Sequence, residues 1–382
     1  MKKIIMITTI PMSFATLVKG QAKYLSQYFE IKMVTSPSEK NEDISSYEGV
    51  KIHSVNMTRQ ITPIEDLKSL IKLFQYIKKE KPDAVYTFTP KAGLLGMMAS
   101  FLARVPVRIH NIVGMPLMEV KGIKRKLLEL IEKLTYFFAT HLFCNSFGLK
   151  DYLYKNLTKK EVRVIANGSI NGVDTDYFKN DKSICEQDEI RQEYGISPSD
   201  FVITFVGRIV KDKGINELVE VFLELSKKHD NLKLLLVGDY EEHLNSIDKK
   251  NKDLIDSSPS IIAVGFKKEI RNFLAITDLF ALPSYREGLP NSLIEAGSFG
   301  IPLLATNING CNEIIIQNET GILVNKKDNI SLKNGLERMI VDTEQYNYIK
   351  KNIRTQIQER YSQDYFWQEL RNEFESILEE KR

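Results

Sequence analysis

The sequence predicts an α/β fold made of two successive doubly wound units, each a largely parallel sheet flanked by helices. Two runs of alternating strand and helix patterns, over residues 2–146 and again from Phe201 onward, carry this reading. Between them lies a polar stretch, residues 180–200, that reads as a connector. With 382 residues, the chain is long enough for two full cores.

The first run opens with KKIIMITT, a short apolar segment of the kind buried on both faces of a sheet. A helix is expected near Leu17–Tyr28, then strands IKMVTS and KIHSVNM. Residues 64–80 carry Leu67, Leu70, Ile71, Phe74 and Ile77 at helical spacing. KPDAVYTFT turns at Pro-Asp into a strand, a small-residue helix follows over 93–103, and PVRIHNI returns as a strand. A long helix over 124–139 precedes the strand HLFCNS. The second run contains FVITFVG, a helix over 216–229, LKLLLVG, SIIAVG, DLFALPS, PLLATN and GILV, three of these strands closing on glycine. The βαβα order argues for two Rossmann-like domains facing across a cleft. The expected division is 1–178, a linker at 179–200, 201–358, and a final helix over 359–382. That helix carries the only Trp, Trp367, with Phe366, Leu370, Phe374 and Leu378 on one face, and is expected to pack back on the first domain.

Composition is ordinary for a globular protein, at 43% hydrophobic and 27% charged. The apolar part of MKKIIMITTIPMSF is too short for a secretory signal, and no run nears the ~20 apolar residues of a membrane span. Cys144, Cys185 and Cys311 are scattered without pairing or metal spacing, which points to a reducing compartment and a cytoplasmic location. Residues 1–180 hold 27 Lys/Arg and 16 Asp/Glu, a balance of 27 − 16 = +11; the remainder holds 26 and 34, or −8. A basic first half suits an anionic partner such as nucleic acid, a membrane face or a phosphorylated lipid.

The most informative segment is EGLPNSLIE, which places Glu287 and Glu295 on either side of a loop running into a helix. Asn291 is expected as N-cap after Pro290, with Ser292 and Leu293 in the first turn, whose open amides and positive dipole end suit a phosphate. Two carboxylates flanking an anion site fit a ribose, a diphosphate and a sugar in a row. FVGRIVKDKG adds Arg208 and Lys213 beyond a strand end, a fork and a point charge that neutralise a diphosphate without a metal. Gly265, with Phe266 and Lys267 beside it, ends another strand where backbone meets the edge of a base. No GxGxxG is present, so the fingerprint of a dinucleotide oxidoreductase is missing.

Taken together, GRIVKDKG, VGF, EGLPNSLIEAGSFGIP and NGCNEII…TGILV resemble the retaining glycosyltransferases of family 4, which have the two-domain GT-B fold. TTIPMSFATLVKGQAKYLS, TPKAGLLGMMASFLARVPVRIH, GMPLMEVKG and GSINGVDTDYF resemble the branch that builds capsule, O-antigen and lipid-linked oligosaccharides. The resemblance implies a nucleotide-sugar donor in the second domain. Glu295 would then hold the ribose, and Gly288, Leu289, Pro290 and Asn291 the donor sugar. Arg208 and Lys213, with Ser292 and Leu293, would take the diphosphate. Glu287 and His110 would be the catalytic pair at the transferred sugar, and Lys91 would meet an acceptor phosphate. It further implies front-face attack with retention and no cofactor or metal. The acceptor implied is a lipid-linked saccharide.

In place of the family's glycine-rich loop after the first strand the chain has TTIPMSF, so acceptor contacts would fall to the hydroxyls and amides of Thr9 and Ser13. Asp174-Thr-Asp176 has the look of a metal-binding DxD but lies near the connector, away from the donor segment. Met115, Leu117 and Met118 beside Lys121, Lys124, Arg125 and Lys126 suit the surface of an anionic membrane. The expectation is therefore a cytoplasmic glycosyltransferase, peripheral at the inner face of the cell membrane. It would move a hexose or N-acetylhexosamine from a UDP-sugar, GDP being the other candidate base, to a polyprenyl-diphosphate-linked saccharide. The alternatives are a UDP-sugar epimerase of the same architecture and a nucleic-acid-binding protein. The second lacks aromatic-interleaved basic strips, so no nucleic-acid partner is expected.

Overall fold

The computed structural model describes residues 1–114, 122–241 and 245–380, with the side chain of Lys124 also left aside. Of the expected membrane wedge, Met115, Leu117, Met118, Lys121 and the Lys124 side chain therefore lie outside the described residues, while Arg125 and Lys126 stand near the start of the helix that follows. The chain forms two compact units: residues 1–172 with 363–382, and residues 173–362.

In the first unit the strands are β1 (Lys3–Ile7), β2 (Glu30–Thr35), β3 (Ile52–Ser54), β4 (Ala84–Thr87), β5 (Val107–Ile112), β6 (His141–Cys144) and β7 (Val162–Val164). They pair in parallel in the order β3-β2-β1-β4-β5-β6-β7, so the winding reverses between β1 and β4. Ile5 sits opposite Lys32 on one side and Val85 on the other. The unbroken apolar run of β1 follows from burial on both faces. Ile4 and Met6 enter one core layer and Ile5 and Ile7 the other. The helices Pro63–Glu80, Pro90–Leu102 and Gly122–Phe138 cover the second of these layers.

The second unit contains β8 (Phe201–Val206), β9 (Leu232–Val237), β10 (Ile261–Gly265), β11 (Leu279–Leu282), β12 (Leu303–Thr306) and β13 (Gly321–Val324). Their order is β10-β9-β8-β11-β12-β13, again all parallel, with the reversal between β8 and β11. Crossover connections at such a reversal diverge to opposite faces and leave an opening at the carboxyl ends of the strands.

The sequence patterns do not predict β7 or the helices Asn41–Glu48 and Phe147–Asn156, and three other elements depart from expectation. The helix expected over 17–28 is two short ones, Ser13–Leu17 and Gln21–Leu25. Gly20 between them has φ +81°, donates its N–H to Glu48 Oε1 at 2.7 Å, and leaves no room for a Cβ against the Trp367 ring. The connector 179–200 contains a helix, Ile184–Glu193, started by a reciprocal Ser183–Glu186 capping box and belonging to the second unit. The chain passes between units at Ser362, where the long helix Thr343–Tyr361 ends and Gln363–Glu379 begins.

That last helix completes the core of the first unit. Phe366, Leu370, Phe374 and Ile377 are buried there, and Phe374 meets Tyr86 edge-on with ring centroids 5.2 Å apart. Trp367 donates to Asn171 Oδ1 at 2.8 Å and stacks on Tyr24. Phe374→Ala is expected to destabilise the first unit by about 3–5 kcal/mol in denaturant unfolding, because a ring-sized void opens under the sheet. Phe266→Ala, at an exposed ring, is expected to change stability by less than about 0.5 kcal/mol.

Candidate active site

The carboxyl ends of β8 to β12 gather the residues of interest in the second unit. Arg208 follows β8, Asp239 to Glu241 follow β9, Phe266 follows β10, Ser284 to Glu287 follow β11, and Asn307 to Gly310 follow β12. The loops after β8 and β11 are stitched together. Lys213 Nζ lies 2.6 Å from Glu287 Oε1, both side chains mostly withdrawn from solvent. Arg286 chelates Asp212 through Nε at 3.1 Å and Nη2 at 2.6 Å, Tyr285 N–H donates to the Asp212 carbonyl, and Tyr285 Oη donates to Glu217 at 2.6 Å. From β12, Asn309 Nδ2 donates to the carbonyls of Glu287 and Gly288 at 3.1 and 3.0 Å. Gly310, at φ +79°, comes so close that a Cβ would lie 2.1 Å from the Gly288 oxygen. Sequence reasoning passed over Asp212, Tyr285, Arg286 and Asn309. Their roles depend on partners more than twenty residues away.

The helix Asn291–Ser298 begins here, with a correction to its expected cap. Pro290, not Asn291, is the N-cap residue (φ −76°, ψ 108°), and no side chain caps the end. Proline fixes the entry angle, and Asn291 becomes the first helical residue. The Leu293 N–H turns back to the Pro290 carbonyl at 3.1 Å, leaving the amides of Asn291 and Ser292 at the tip. The Leu289 and Leu293 side chains are buried in the core, so only backbone is on offer at both. Arg208 is half-exposed, with Nη1 3.0 Å from Glu241. Phe266 is exposed and Lys267 partly so, while the Phe266 N–H is held by Asp239 Oδ1 at 2.9 Å and Gly265 sits at φ +69°.

Glu295 differs from every other carboxylate in the group. Its carboxylate has no hydrogen-bond or ion-pair partner among the described residues, and burial pushes it up to about 7. Withdrawing an ionised carboxylate from water without compensation raises its pKa in this way. A ligand that brings hydroxyl donors would supply the missing partners. The Cys311 thiol is also pushed up, by burial first and then by the nearby Glu287 carboxylate.

In the first unit a cavity of about 370 Å³ opens at the ends of β4 and β5, lined by Phe88, Thr89, His110, Asn111 and Glu132 among others. His110 is 2% exposed. Its Nδ1 lies 2.9 Å from Thr87 Oγ1, and its ring packs so tightly on Gly93 that a Cβ there would lie 2.4 Å from Cε1. Burial pulls it down to about 4, so at neutral pH the imidazole is uncharged and cannot serve as a cation. Asn111, also 2% exposed, donates to Tyr86 Oη at 2.7 Å, while its Oδ1 is buried without a hydrogen bond. Glu132, 7% exposed, is pushed upward by burial, with the Tyr136 hydroxyl acting the other way.

The three expected acceptor contacts are arranged differently from expectation. Lys91 is committed to Asp66, with Nζ 2.6 Å from Oδ2, and to the Gln60 carbonyl, and its side chain is nearly buried. Thr9 Oγ1 is tied to Thr89 Oγ1 at 2.6 Å and takes the Ala92 N–H. Ser13 is nearly buried at the start of its helix. Asp174 Oδ1 accepts from the Asp176 and Tyr177 amides, as a turn cap does. Among the described residues no group of three or more His, Cys, Asp or Glu is placed to hold a metal ion.

Comparison with known proteins identifies the family. Residues 186–356 match the family model "Glycosyl transferases group 1", and residues 7–146 match "Glycosyl transferase 4-like". The chain is 33% identical over 382 residues to the capsular polysaccharide biosynthesis glycosyltransferase CapM of Staphylococcus aureus, covering 99% of this chain and 98% of that one. It is 33% identical over 311 residues to the UDP-Gal:alpha-D-GlcNAc-diphosphoundecaprenol alpha-1,3-galactosyltransferase of Escherichia coli, covering 79% and 77%. The Anabaena protein HepE in complex with UDP shares the fold, with a TM-score of 0.81 at 20% identity, covering 98% of this chain and 100% of that one. No finding favours the epimerase or the nucleic-acid-binding alternative. The chain belongs to glycosyltransferase family 4, with the GT-B fold, in the branch that assembles capsule and lipopolysaccharide.

Proposed function

We propose that this glycosyltransferase transfers a hexose or N-acetylhexosamine, with retention and without a metal, from a UDP-sugar to a polyprenyl-diphosphate-linked saccharide. The observation that carries the donor half is the unpartnered, partly buried Glu295 beside an uncapped helix tip that the Lys213–Glu287 pair flanks. A ribose supplies two hydroxyl donors for Glu295. The diphosphate fits the Asn291 and Ser292 amides with the Arg208 fork and the Lys213 ammonium. Glu287, oriented by Lys213, accepts hydroxyls of the sugar, and Gly288 to Asn291 line it with backbone. Phe266 and Lys267 stand at the base. The E. coli and Anabaena relatives, whose names carry UDP-Gal and UDP, favour uridine over guanosine as that base.

In the proposed reaction the acceptor hydroxyl attacks the sugar's C1 on the face the diphosphate leaves. The C1–O bond to phosphate breaks, the C1–O bond to the acceptor forms, and the acceptor proton passes to the departing phosphate oxygen. The chain's part is electrostatic: fixed donors aimed at the developing diphosphate charge. On the acceptor side, Asn111 and Glu132 line the first-unit cavity as the polar residues for saccharide hydroxyls, with neutral His110 held beside them. Thr9 and Lys91 act there by bracing Thr89 and residues 60–66. The lipid-borne acceptor implies work at the inner face of the cell membrane. Among the described residues no helix is long and apolar enough to cross one.

Three outcomes test this reading. UDP is expected to raise the melting temperature, and Glu295→Gln to weaken UDP binding by about 10- to 100-fold in calorimetry, as loss of a charged hydrogen-bond acceptor does. An unchanged affinity would sink the ribose assignment.

The pH dependence has a definite sign. A carboxyl raised from 4.5 to about 7 costs the fold nothing while neutral in both states, and its penalty grows as pH rises through the folded value. Glu295→Gln is therefore expected to stabilise the ligand-free protein at about pH 8, by up to roughly 3 kcal/mol, and hardly at all at about pH 4. Because hydroxyl donors favour the ionised form, UDP binding at about pH 6.5 is expected to release protons, seen as a buffer-dependent binding enthalpy.

Glu132→Gln is expected to raise the acceptor KM or lower kcat by about tenfold or more while leaving UDP affinity untouched. A change in UDP affinity instead would remove the acceptor assignment.

A further inference from the structure

The helix Gly122–Phe138 is built inside out. Its buried side carries Glu132, Thr135 and Tyr136, while Ile123 (88% exposed), Leu127, Leu130, Leu134 and Phe137 (65% exposed) stand in solvent. Their spacing of four, three, four and three residues draws one straight stripe along the outer face, roughly 21 Å long at 1.5 Å per residue. A helix on a water-covered surface shows the opposite polarity, and stripes of this kind mark contact surfaces.

The stripe has a counterpart. On the helix Pro63–Glu80, Ile64 (74% exposed), Leu67 and Ile71 repeat the pattern. The helix Pro90–Leu102 packs against both and ends in exposed Phe101 and Leu102, with the Phe101 ring 6.4 Å from Phe137. All three helices lie over the same core layer of the first unit, so these side chains share one outer face.

The charges around the face are mostly of one sign. Lys126 and Lys133 are exposed along one edge of the long stripe, Lys68, Lys72 and Lys79 flank the shorter one, and Arg108 lies over the Phe101 ring. Glu132 faces inward, and Glu65 and Glu129 are engaged with Lys68 and Arg125. A second copy of this face would bring lysine against lysine. An anionic bilayer meets both features at once, taking the apolar side chains among its acyl chains and the lysines at its headgroups.

We infer that the outer face of the three helices Pro63–Glu80, Pro90–Leu102 and Gly122–Phe138 is the surface that seats this protein on an anionic membrane. It rests on the proposal that the acceptor is carried by a lipid, and of the expected wedge it takes in only Lys126, its apolar contacts falling on other side chains.

The test is flotation of the full chain with phosphatidylglycerol-containing and pure phosphatidylcholine vesicles, beside the variant Leu127→Glu/Leu130→Glu/Leu134→Glu. These positions are exposed, so the variant is expected to fold, which an unchanged circular dichroism spectrum and unfolding transition of the full chain check. Expected is binding to the anionic vesicles that weakens with salt and falls at least about tenfold in the triple variant, with a smaller fall in Lys126→Glu/Lys133→Glu. The inference is overturned if the wild type ignores anionic vesicles, if the triple variant floats as well as wild type, or if wild type is a dimer that the variant splits. Loss of UDP response by the wild type would instead strike at the donor site, whatever the vesicles show.

Discussion

The Lys213–Glu287 ion pair ties the candidate site of the second unit together. It joins the loop after β8 to the loop after β11 across the reversal of the second sheet, at 2.6 Å and largely out of water. Bringing two charges to such a place costs desolvation that the pair's own attraction offsets only when geometry is held closely. The surroundings hold it. Asp212 beside Lys213 and Arg286 beside Glu287 form a second bridge, and Asn309 pins the Glu287 and Gly288 carbonyls from the β12 side. Rigid loops around a charged pair are what a site must have if it is to stabilise a leaving diphosphate without reorganising.

Against this compensated pair stands Glu295, one turn into the helix Asn291–Ser298, with nothing to meet it. Folding places it there against its own ionisation. The first unit repeats the contrast in weaker form, with Lys91 and Asp66 satisfied by each other while Asn111 and Glu132 line a cavity. Buried polar groups are overwhelmingly satisfied in folded proteins, so a group left over beside a candidate site is one that a ligand would partner.

The helix Gly122–Phe138 joins two demands on one element. Its inner face supplies the carboxylate of the cavity, and its outer face carries the apolar stripe. A lipid-borne acceptor would require both, a polar subsite within the unit and an apolar face on its surface, and a two-sided helix satisfies them together.

The sequence by itself determined the two doubly wound units, every strand but β7, and the charged candidates gathered at strand ends. Buried parallel strands must be continuously apolar, and the glycines and charges that follow them are local features of the chain. Arg208, Lys213, Glu287 and Glu295 were legible for the same reason, as residues in or just beyond a strand–loop–helix passage. The tertiary structure alone decided partnership. Lys91 meets Asp66 and Thr9 meets Thr89 because β1, β4 and the helices after β3 and β4 are brought side by side, a fact of topology with no trace in local spacing. The cap at Pro290 in place of Asn291 was settled by where the β11 loop delivers the chain to its helix. Which face of the helix Gly122–Phe138 points inward was decided the same way. Only packing against its neighbours turns its apolar stripe outward and buries Glu132.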